Sequence, residues 1–559
     1  MAAGPETDVA IVGCGAGGAA CAWRLAARGL RVTVLETGPW YDPARDYRLH
    51  RPDWERGRFP HKLDPDAGYV IAPLQHLDPA REGLRSWNRV RGRLVPGRRR
   101  RGWRYHRVLG VGGTTLHFSG EAHRLHPAAF RLRSLTGVGA DWPFGYDALE
   151  PYYLIAERIV GVSGPPRDPT RPRSAPYPLP PHPMSHADRT LARGLERLGL
   201  AWLPNPVAIL PRAYGGRPPC NYCANCNRGC PRADKGSADV TFARRAVGTG
   251  RCRILTGATV LRLLPGPRDR VEALEYALGD GRRHRLRARV FVLAAGAVET
   301  PRLLLLSAAP VCPEGLANES GQVGRHFMET VAWSSLGLHP EPQGGHRGIA
   351  SGLVCWDFNA PDALGDVPGG FRLSPAVAEA DLMGPAAYAR RAVPGWGLSH
   401  RRRMREAFAH AIGVGAIGES LPNPGSFVDL DPERRDGHGR PLARIHAHLT
   451  EADVARLERM AATARAVLEA AGACERVEEY GTYDTFSATH VFGTCRMGRD
   501  PETSVTRPDG RAHRWRNLYV ADASLFPSSG GGESPALTIA ALALRVADAI
   551  ARALASRAA

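Results

Sequence analysis

The chain has 559 residues, of which 43% are hydrophobic and 23% are charged, and this composition excludes a disordered chain, a collagen and a small disulfide scaffold. The length allows three or four domains, or one large two-domain enzyme. Such an enzyme can bury a large core without disulfides or bound metals. The formal net charge of +19 would suit a nucleic-acid or polyanion binder, but all but two of the 74 basic residues are arginine and no nucleic-acid-binding motif accompanies them.

The amino-terminal residues form a predicted strand–turn–helix–strand unit. Residues 8–12 are a short apolar run typical of a parallel strand, residues 19–28 have helical spacing, and residues 31–36 form a second strand. The turn after the first strand, Gly13-Cys14-Gly15-Ala16-Gly17-Gly18, carries the spacing G-x-G-x-x-G. This arrangement indicates a unit that binds a dinucleotide.

The glycine turn is suited to a pyrophosphate. Gly13 permits the tight turn, Gly15 lets the phosphates approach the backbone, and Gly18 lets the helix pack on the strand. The helix that follows the turn directs unpaired N–H groups at the phosphates, and Glu36 is placed to bind ribose hydroxyls. The motif does not separate FAD from NAD, so a nicotinamide-dependent dehydrogenase is an alternative at this point.

The rest of the chain alternates irregular stretches with further strand–turn–helix patterns. Residues 40–105 are rich in Arg, Pro and Asp and are interpreted as a lid, and the Pro-rich residues 164–183 as a connector. Residues 289–306 and 517–552 each show a strand, a turn and an apolar helix. Features of a nucleotide-binding domain therefore occur at both ends of the chain and in its middle.

This distribution predicts an α/β fold with a Rossmann-like domain assembled from several chain segments, plus an inserted α+β substrate-binding domain around an antiparallel sheet. Within the insertion, an amphipathic helix is predicted over 450–472, with Thr450 and Asp453 as its capping pair. The expected segments are 1–60, 235–326 and 481–559 for the nucleotide domain, 61–163 for a lid and cofactor-contacting region, and 164–234 and 327–480 for the substrate domain.

Several motifs outside the first unit resemble motifs of a known protein family. They are 110–115 (GVGGTT), 294–303 (AAGAVETPRL), 489–498 (THVFGTCRMG), 517–524 (NLYVADAS), 530–535 (GGGESP) and, as a weaker match, 321–325 (GQVGR). In these motifs, which occur in order over nearly the whole length, the chain resembles the glucose–methanol–choline (GMC) oxidoreductases, which use FAD to oxidise alcohols. The resemblance implies that the nucleotide is FAD and that the nucleotide domain is an FAD-binding domain.

The resemblance also implies two catalytic residues. His490 matches the histidine that accepts the substrate hydroxyl proton while hydride passes to flavin N5, and an imidazole with an unperturbed pKa of about 6.5 suits a base near neutrality. Ser534, beside Glu533, stands where the family usually has Asn or His. Its hydroxyl either donates to the substrate oxygen or only caps the helix that opens at Pro535. That helix is expected to aim its positive end at the flavin.

The family's cofactor contacts fall on the glycine turn, the loop after residue 110 and the later strand ends. They correspond to Gly13, Gly15, Ala16, Gly18, Glu36, Gly112, Gly113, Thr114, Thr115, His117, Val260, Ala295, Gly296, Asp522, Ala523 and Pro535. His117 stands where some members carry a histidine covalently joined to the flavin, and covalent and non-covalent contact both stay open. Residues 118–120 are closer to sugar-acid dehydrogenases and pyranose oxidases than to glucose oxidases.

A cysteine run has the spacing C-x2-C-x2-C-x3-C-P, which is that of an iron–sulfur ligand run. Neighbouring basic side chains, Arg228, Arg232 and Lys235, would favour thiolates. An iron–sulfur cluster, zinc, disulfides and a structural role without metal all stay open. The predicted ligands are Cys220, Cys223, Cys226 and Cys230.

Together these features predict an FAD-dependent dehydrogenase or oxidase that acts on a CH–OH group of a sugar, aminosugar or polyol, with secondary metabolism as one setting. Oxidation of a sterol or long-chain alcohol is the alternative within the family. The electron acceptor is O2 or a carrier, and an iron–sulfur cluster would favour a carrier. No apolar run approaches the roughly 20 residues of a membrane span, and we expect a cytoplasmic enzyme with no nucleic-acid partner.

Overall fold

The structure is a computed structural model that describes residues 6–49, 51, 55, 68–103, 105–487 and 490–556. Its α-helices are α1 (Ala16–Ala27), α2 (Pro43–Asp46), α3 (Leu132–Thr136), α4 (Glu150–Val160), α5 (His186–Arg197), α6 (Arg244–Gly248), α7 (Gly296–Leu305), α8 (Pro385–Arg391), α9 (Gly397–Ala407), α10 (Glu451–Ala470) and α11 (Ala536–Ala555). Of these helices in the described part of the chain, none combines the length and the apolar character that crossing a bilayer requires.

The strands vary from two-residue pairings to the eleven residues of the longest one. They are β1 (Thr7–Val12), β2 (Val32–Glu36), β3 (Val70–Ile71), β4 (Trp87–Asn88), β5 (Arg101–Gly102), β6 (Leu203–Pro204), β7 (Cys252–Thr256), β8 (Thr259–Gly266), β9 (Arg270–Ala277), β10 (Arg283–Leu293), β11 (Met328–Glu329), β12 (Val331–Leu338), β13 (Leu353–Val354), β14 (Phe371–Pro375), β15 (Ala411–Gly418), β16 (Phe427–Arg435), β17 (Pro441–His446), β18 (Glu475–Gly481), β19 (Thr485–Phe486), β20 (Val491–Phe492) and β21 (Leu518–Val520).

One mixed sheet joins the amino-terminal, middle and carboxyl-terminal parts of the chain. Its strand order is β7–β2–β1–β10–β9–β8, and β21 also pairs with β10. β1 runs parallel to β2 and β10, and β21 runs parallel to β10. β1 and β2 are buried almost throughout, as expected for parallel strands covered on both faces. The predicted α/β class is therefore confirmed, while the limits of the predicted chain segments stay a prediction.

A second, antiparallel sheet has the strand order β14–β15–β12–β18–β4. α10 covers it, since Leu457 and Met460 of the helix share a hydrophobic cluster with Trp333 of β12. The Thr450 hydroxyl accepts the Asp453 N–H at 3.2 Å, and the Asp453 carboxylate accepts the Thr450 N–H at 2.9 Å. The predicted capping pair is confirmed, and it fixes where α10 begins.

The stretch interpreted as a lid contributes strands to neighbouring sheets. β4 pairs with β18, β3 with β17 and β5 with β19. The Asp484 carboxylate accepts hydrogen bonds from both the N–H and the hydroxyl of Ser86. Residues 68–103 are therefore tied to three different sheets through β3, β4 and β5. Most of 50–67 lies outside the described residues, and movement of this region as a lid stays a prediction.

α1 approaches its neighbours closely because its first turn contains glycines. A Cβ on Gly17 would lie 1.9 Å from the carbonyl oxygen of Ala521, and one on Gly18 would lie 2.0 Å from the carbonyl oxygen of Gly13. Arg24 also binds Asp548 of α11, with 2.8 Å between Nε and Oδ1. The amino end of α1 is thus held against the turn after β1 and the end of β21.

Replacing Gly17 with alanine tests this close approach. We expect Gly17→Ala to lower the free energy of unfolding by about 1–3 kcal/mol, because the methyl group must displace backbone. Gly145→Ala is the matched control, since an exposed Gly145 has no atom within 4 Å of an added Cβ. Denaturant unfolding measures both variants. Equal midpoints for the two would show that the approach at Gly17 is looser than described.

Candidate active site

A cavity of about 750 Å³ lies where the parallel strands of the first sheet end. Its walls include the turn after β1, the end of β2, the turn between β10 and α7, and the residues after β21. His490 and Ser534 line the same cavity. In doubly wound α/β folds, ligands bind outside the carboxyl ends of the strands. This cavity is therefore the candidate active site.

Glu36 organises the wall formed by the glycine turn. Its carboxylate accepts the backbone N–H groups of Cys14 at 2.9 Å, Gly38 at 2.9 Å and Gly110 at 3.1 Å. Burial raises the pKa of Glu36, and these N–H groups oppose that shift by stabilising the charged form. One carboxylate thus fixes three loops around the cavity.

The start of α1 offers free donors to a phosphate. α1 has no side-chain cap and no acidic residue in its first turn, so its first N–H groups lack side-chain partners. Such a terminus binds phosphate groups, and Glu36 lies beside it as an acceptor for sugar hydroxyls. These two features fit the pyrophosphate and a ribose of a dinucleotide.

The loop after residue 110 faces the glycine turn. A Cβ on Gly113 would lie 2.9 Å from the Cα of Gly15, so the two backbones are in close contact. The Thr115 hydroxyl donates to the Gly112 carbonyl at 2.6 Å and accepts the Ala238 N–H at 2.9 Å. The loop is thereby fixed on both of its sides and forms a rigid part of the cavity wall.

Asp522 connects the two later strand ends. Its carboxylate accepts the Gly296 N–H at 2.9 Å and the Thr300 hydroxyl at 2.6 Å. Its other oxygen accepts the N–H and the hydroxyl of Ser524. The turn that opens α7 is therefore held to the residues after β21, and both line the cavity.

His490 presents a buried imidazole to the cavity. Burial lowers the pKa of this histidine to about 4; the nearby Arg372 charge adds to the shift and Glu121 opposes it. Its Nδ1 atom is buried and has no hydrogen-bond partner among the described residues. The ring is therefore neutral at neutral pH and able to accept a proton. Thr489, the preceding motif residue, lies outside the described residues.

Beside His490 lies a buried network centred on Glu121. The Glu121 carboxylate binds the Arg372 guanidinium at 2.5 Å, the Ser534 hydroxyl at 2.6 Å and the Asn205 amide at 2.9 Å. Burial alone would raise the pKa of Glu121, but Arg372, His123 and these hydrogen bonds hold it at about 2. Glu121 therefore stays ionised, and its charge is paired within the wall.

Ser534 does not cap the last helix. α11 begins at Ala536, its N-cap is Pro535, and no side chain caps it. The Ser534 hydroxyl instead donates to Glu121, so the capping alternative is wrong. Glu533 turns away from Ser534 and forms a buried ion pair with Arg171 at 2.9 Å. The uncapped start of α11 faces the cavity through Pro535 and Ala536.

The predicted metal ligands do not form a metal site. Among the described residues, no group of three or more His, Cys, Asp or Glu side chains is placed to hold a metal ion, and all eleven cysteines are unpaired. Burial raises the pKa of Cys220 to about 12 and also raises that of Cys226. The Cys230 thiol donates to Asp234 at 3.2 Å. The iron–sulfur, zinc and disulfide alternatives for Cys220, Cys223, Cys226 and Cys230 therefore gain no support.

The charge of Lys235 opposes the rise in the pKa of Cys226 and Cys230, as the sequence suggested, and its side chain also has a structural role. Its buried ammonium donates to the carbonyls of Leu116 at 3.0 Å, Phe118 at 2.9 Å and Cys226 at 2.6 Å. It therefore ties the cysteine segment to the loop that contains His117. One residue of that segment, Asn227, reaches the cavity wall.

Most of the predicted cofactor contacts line the cavity. Those that do are Gly13, Gly15, Ala16, Glu36, Gly113, Thr114, Thr115, His117, Val260, Ala295, Gly296, Asp522, Ala523 and Pro535. Gly18 and Gly112 do not line it: Gly18 packs α1 on the turn after β1, and a Cβ on Gly112 would clash with Leu116. Covalent attachment at His117 stays a prediction.

The sequence motifs missed the polar residues that surround Ser534. Glu121, Arg372 and Glu379 belong to no motif, and only Glu121 and Glu379 line the cavity. Glu121 and Arg372 are 251 residues apart in the chain, so their pairing depends on how the second sheet sits over the first. No local signal in the sequence indicates it.

Comparison with known proteins adds a family assignment to this geometry. Models described as GMC oxidoreductase match residues 180–329 and 422–543, and one described as FAD dependent oxidoreductase matches residues 8–103. By structure, pyridoxine 4-oxidase from Mesorbium loti is similar with a TM-score of 0.63 and 20% identity, covering 97% of this chain and 99% of that one.

Curated relatives match over nearly the whole chain. The chain is 31% identical to 2-methyl-1,2-propanediol dehydrogenase of Mycolicibacterium austroafricanum, over 98% of this chain and 95% of that protein. It is 32% identical to the fructose dehydrogenase large subunit of Gluconobacter japonicus, over 98% of each. It is 30% identical to paromamine 6'-oxidase of Streptomyces fradiae, over 98% of this chain and 92% of that protein. A long-chain-alcohol oxidase of Arabidopsis thaliana is 24% identical, over 97% of this chain and 67% of that protein.

Removing one partner of the buried Glu121–Arg372 pair tests the network. Arg372→Met should lower the free energy of unfolding by about 3–5 kcal/mol, because it leaves a buried carboxylate without its counter-charge. Arg287→Met breaks a solvent-exposed pair with Glu272 and should cost less than about 1 kcal/mol. Denaturant unfolding compares them. If both variants lose the same small amount, the buried pair does not stabilise the wall as described.

Proposed function

Because the chain belongs to the GMC oxidoreductases, we propose that it uses FAD to oxidise an alcohol group of a polyhydroxylated substrate to an aldehyde or ketone. The substrate class is a sugar, aminosugar or polyol. One observation carries the proposal: a neutral imidazole shares a cavity with a glycine turn and with the Glu36 carboxylate, which is placed to bind a ribose. The names of the similar dehydrogenases and oxidases agree with this class.

The residues around the glycine turn are suited to hold FAD. The free N–H groups at the start of α1 would bind its phosphates, and Glu36 would bind its ribose. The start of α11 lies in the same cavity and directs the positive end of that helix toward it. When bound, FAD takes up the hydride that leaves the alcohol carbon.

His490 is the proposed base. The alcohol loses its O–H proton to the imidazole and its C–H hydrogen as hydride, and the carbon–oxygen bond becomes a carbonyl. Because burial keeps the ring neutral, it can accept the proton without first losing one. The Nδ1 atom has no partner among the described residues, so the ring is not already engaged through that nitrogen.

Ser534 is proposed to position the alcohol. Since its hydroxyl donates to Glu121, its oxygen remains available as an acceptor. A second hydroxyl of the substrate can donate to that oxygen. The pairing of Glu121 with Arg372 fixes the direction of the Ser534 hydroxyl, so the acceptor is held ready before the substrate binds.

The polar wall favours a polyhydroxylated substrate over a sterol or long-chain alcohol. Around His490 the cavity is lined by Ser119, Glu121, Glu379 and Ser534. An aliphatic chain would leave Glu379 and the acceptor side of the Ser534 hydroxyl without partners, which costs free energy. The more distant similarity to a long-chain-alcohol oxidase agrees with this choice.

The acceptor and the location of the enzyme complete the proposal. The acceptor is O2 or a carrier, since the similar proteins include both oxidases and dehydrogenases. We place the enzyme in the cytoplasm, which the eleven unpaired cysteines support.

Replacing His490 tests the proposed base. His490→Ala should keep its bound FAD but reduce it about 10²- to 10⁴-fold more slowly, because the hydroxyl proton loses its acceptor. His186→Ala is the control, since His186 is exposed on α5. Anaerobic stopped-flow measures flavin reduction by D-fructose, 2-methyl-1,2-propanediol or paromamine. Reduction at the wild-type rate in the His490 variant would assign the base to another residue.

The pH dependence of the same step gives a second test. Because the pKa of His490 is lowered to about 4, the ring stays neutral as the pH falls through the usual imidazole range. The rate of flavin reduction with a neutral polyol should therefore hold down to about pH 5 and fall only below it. A fall centred near pH 6.5 would mean that the base is a solvated histidine.

A further inference from the structure

Glu379 is a carboxylate in the cavity wall that has no partner. It follows β14, lines the cavity and is exposed to it. No described residue forms an ion pair or a hydrogen bond with its side chain. Once a ligand fills the cavity and displaces its water, a charged side chain there costs free energy unless it is paired. An unpaired one inside a substrate cavity indicates that the ligand supplies the partner.

Arg372, a cation that acts on Glu379, is already paired with another carboxylate. Arg372 contributes to the electrostatics of Glu379, but each of its nitrogens is already engaged: Nη2 with Glu121, Nη1 with the Ser374 hydroxyl and Nε with the Gly532 carbonyl. Burial and the charge of Glu121 raise the pKa of Glu379 to about 7. This is the behaviour of a carboxylate that lacks a counter-ion.

A second acceptor without a partner lies next to Glu379. The Asn227 amide nitrogen donates to the carbonyl of Ala378, the residue before Glu379, at 3.3 Å. Its Oδ1 atom is buried and without a hydrogen-bond partner among the described residues, and Asn227 lines the cavity. The cysteine segment thus brings an amide oxygen to the same part of the wall.

We propose that Glu379 and Asn227 form a subsite for an ammonium group, so that the preferred substrate is an alcohol that also carries an amine, such as an aminosugar or aminoglycoside. The inference rests on the proposed function and narrows its substrate class. An ammonium has three donors and no acceptor, and it would satisfy the Asn227 oxygen while neutralising the Glu379 carboxylate.

A neutral hydroxyl fits this subsite less well. It could donate one hydrogen bond, but it would leave the charge of Glu379 uncompensated in the ligand-filled cavity. The net charge of the whole chain, +19, does not attract a cation from a distance. Selection for an amine therefore depends on this local carboxylate.

A matched pair of substrates tests the subsite in the holoenzyme. Paromamine and its fully N-acetylated form carry the same alcohols, but only the first carries ammonium groups. We expect the wild-type kcat/KM to favour paromamine by about 10- to 100-fold, mainly through KM, as for a charge-assisted hydrogen bond. Glu379→Gln should bring the ratio of the two kcat/KM values close to one. Glu406→Gln, which removes an exposed carboxylate on α9, should leave the ratio unchanged.

Two results would overturn the subsite. One is a wild-type enzyme that oxidises the N-acetylated form as well as paromamine, and the other is a Glu379→Gln variant that keeps the full preference. Calorimetric titration of the oxidised holoenzyme with paromamine gives a readout that does not depend on turnover, and Glu379→Gln should weaken that binding. If D-fructose or 2-methyl-1,2-propanediol reduces the flavin but paromamine does not, only the subsite fails. If no alcohol reduces it, the proposed function fails as well.

Discussion

The parallel pairing of β10 with both β1 and β21 is the constraint on which the site depends. These strands come from the beginning, the middle and the end of the chain, and their carboxyl ends meet at one edge of the sheet. The glycine turn, the start of α7 and Asp522 must therefore face one another. The hydrogen bond from Gly296 to Asp522 closes that arrangement. Without this pairing, no cavity would bring the two ends of the chain together.

The second sheet contributes a charge that acts on the part of the cavity around His490 and Ser534. Arg372 lies on β14, and its charge keeps Glu121 ionised and helps to keep His490 neutral. One buried guanidinium thus contributes to the protonation state of both an acceptor network and a base. Glu379 follows the same strand and lies outside that pairing. The wall therefore contains one carboxylate whose charge is balanced by the protein and one whose charge is not.

The sequence predicted the parts of the fold that depend on local pattern. The glycine turn with Glu36, the capping pair at Thr450 and the strand–turn–helix units are each encoded within a few residues. Residues that act through distant partners left no such signal, as Glu121 and Arg372 show. Spacing alone also left the role of Cys220–Cys230 open, because the number of residues between cysteines does not fix where their thiols point. Ser534 matched a family position, but its partner, Glu121, lies 413 residues away.

The most direct test of the account is to follow the flavin of the purified enzyme through one anaerobic turnover. The flavin-to-protein ratio is measured first by absorbance, and the yellow absorption is then followed after mixing with each alcohol of a panel of sugars, aminosugars and polyols. The account predicts one FAD per chain, and loss of the yellow absorption with at least one alcohol as the carbonyl product forms. A chain that contains no flavin, or a bound flavin that every alcohol leaves oxidised, would contradict it.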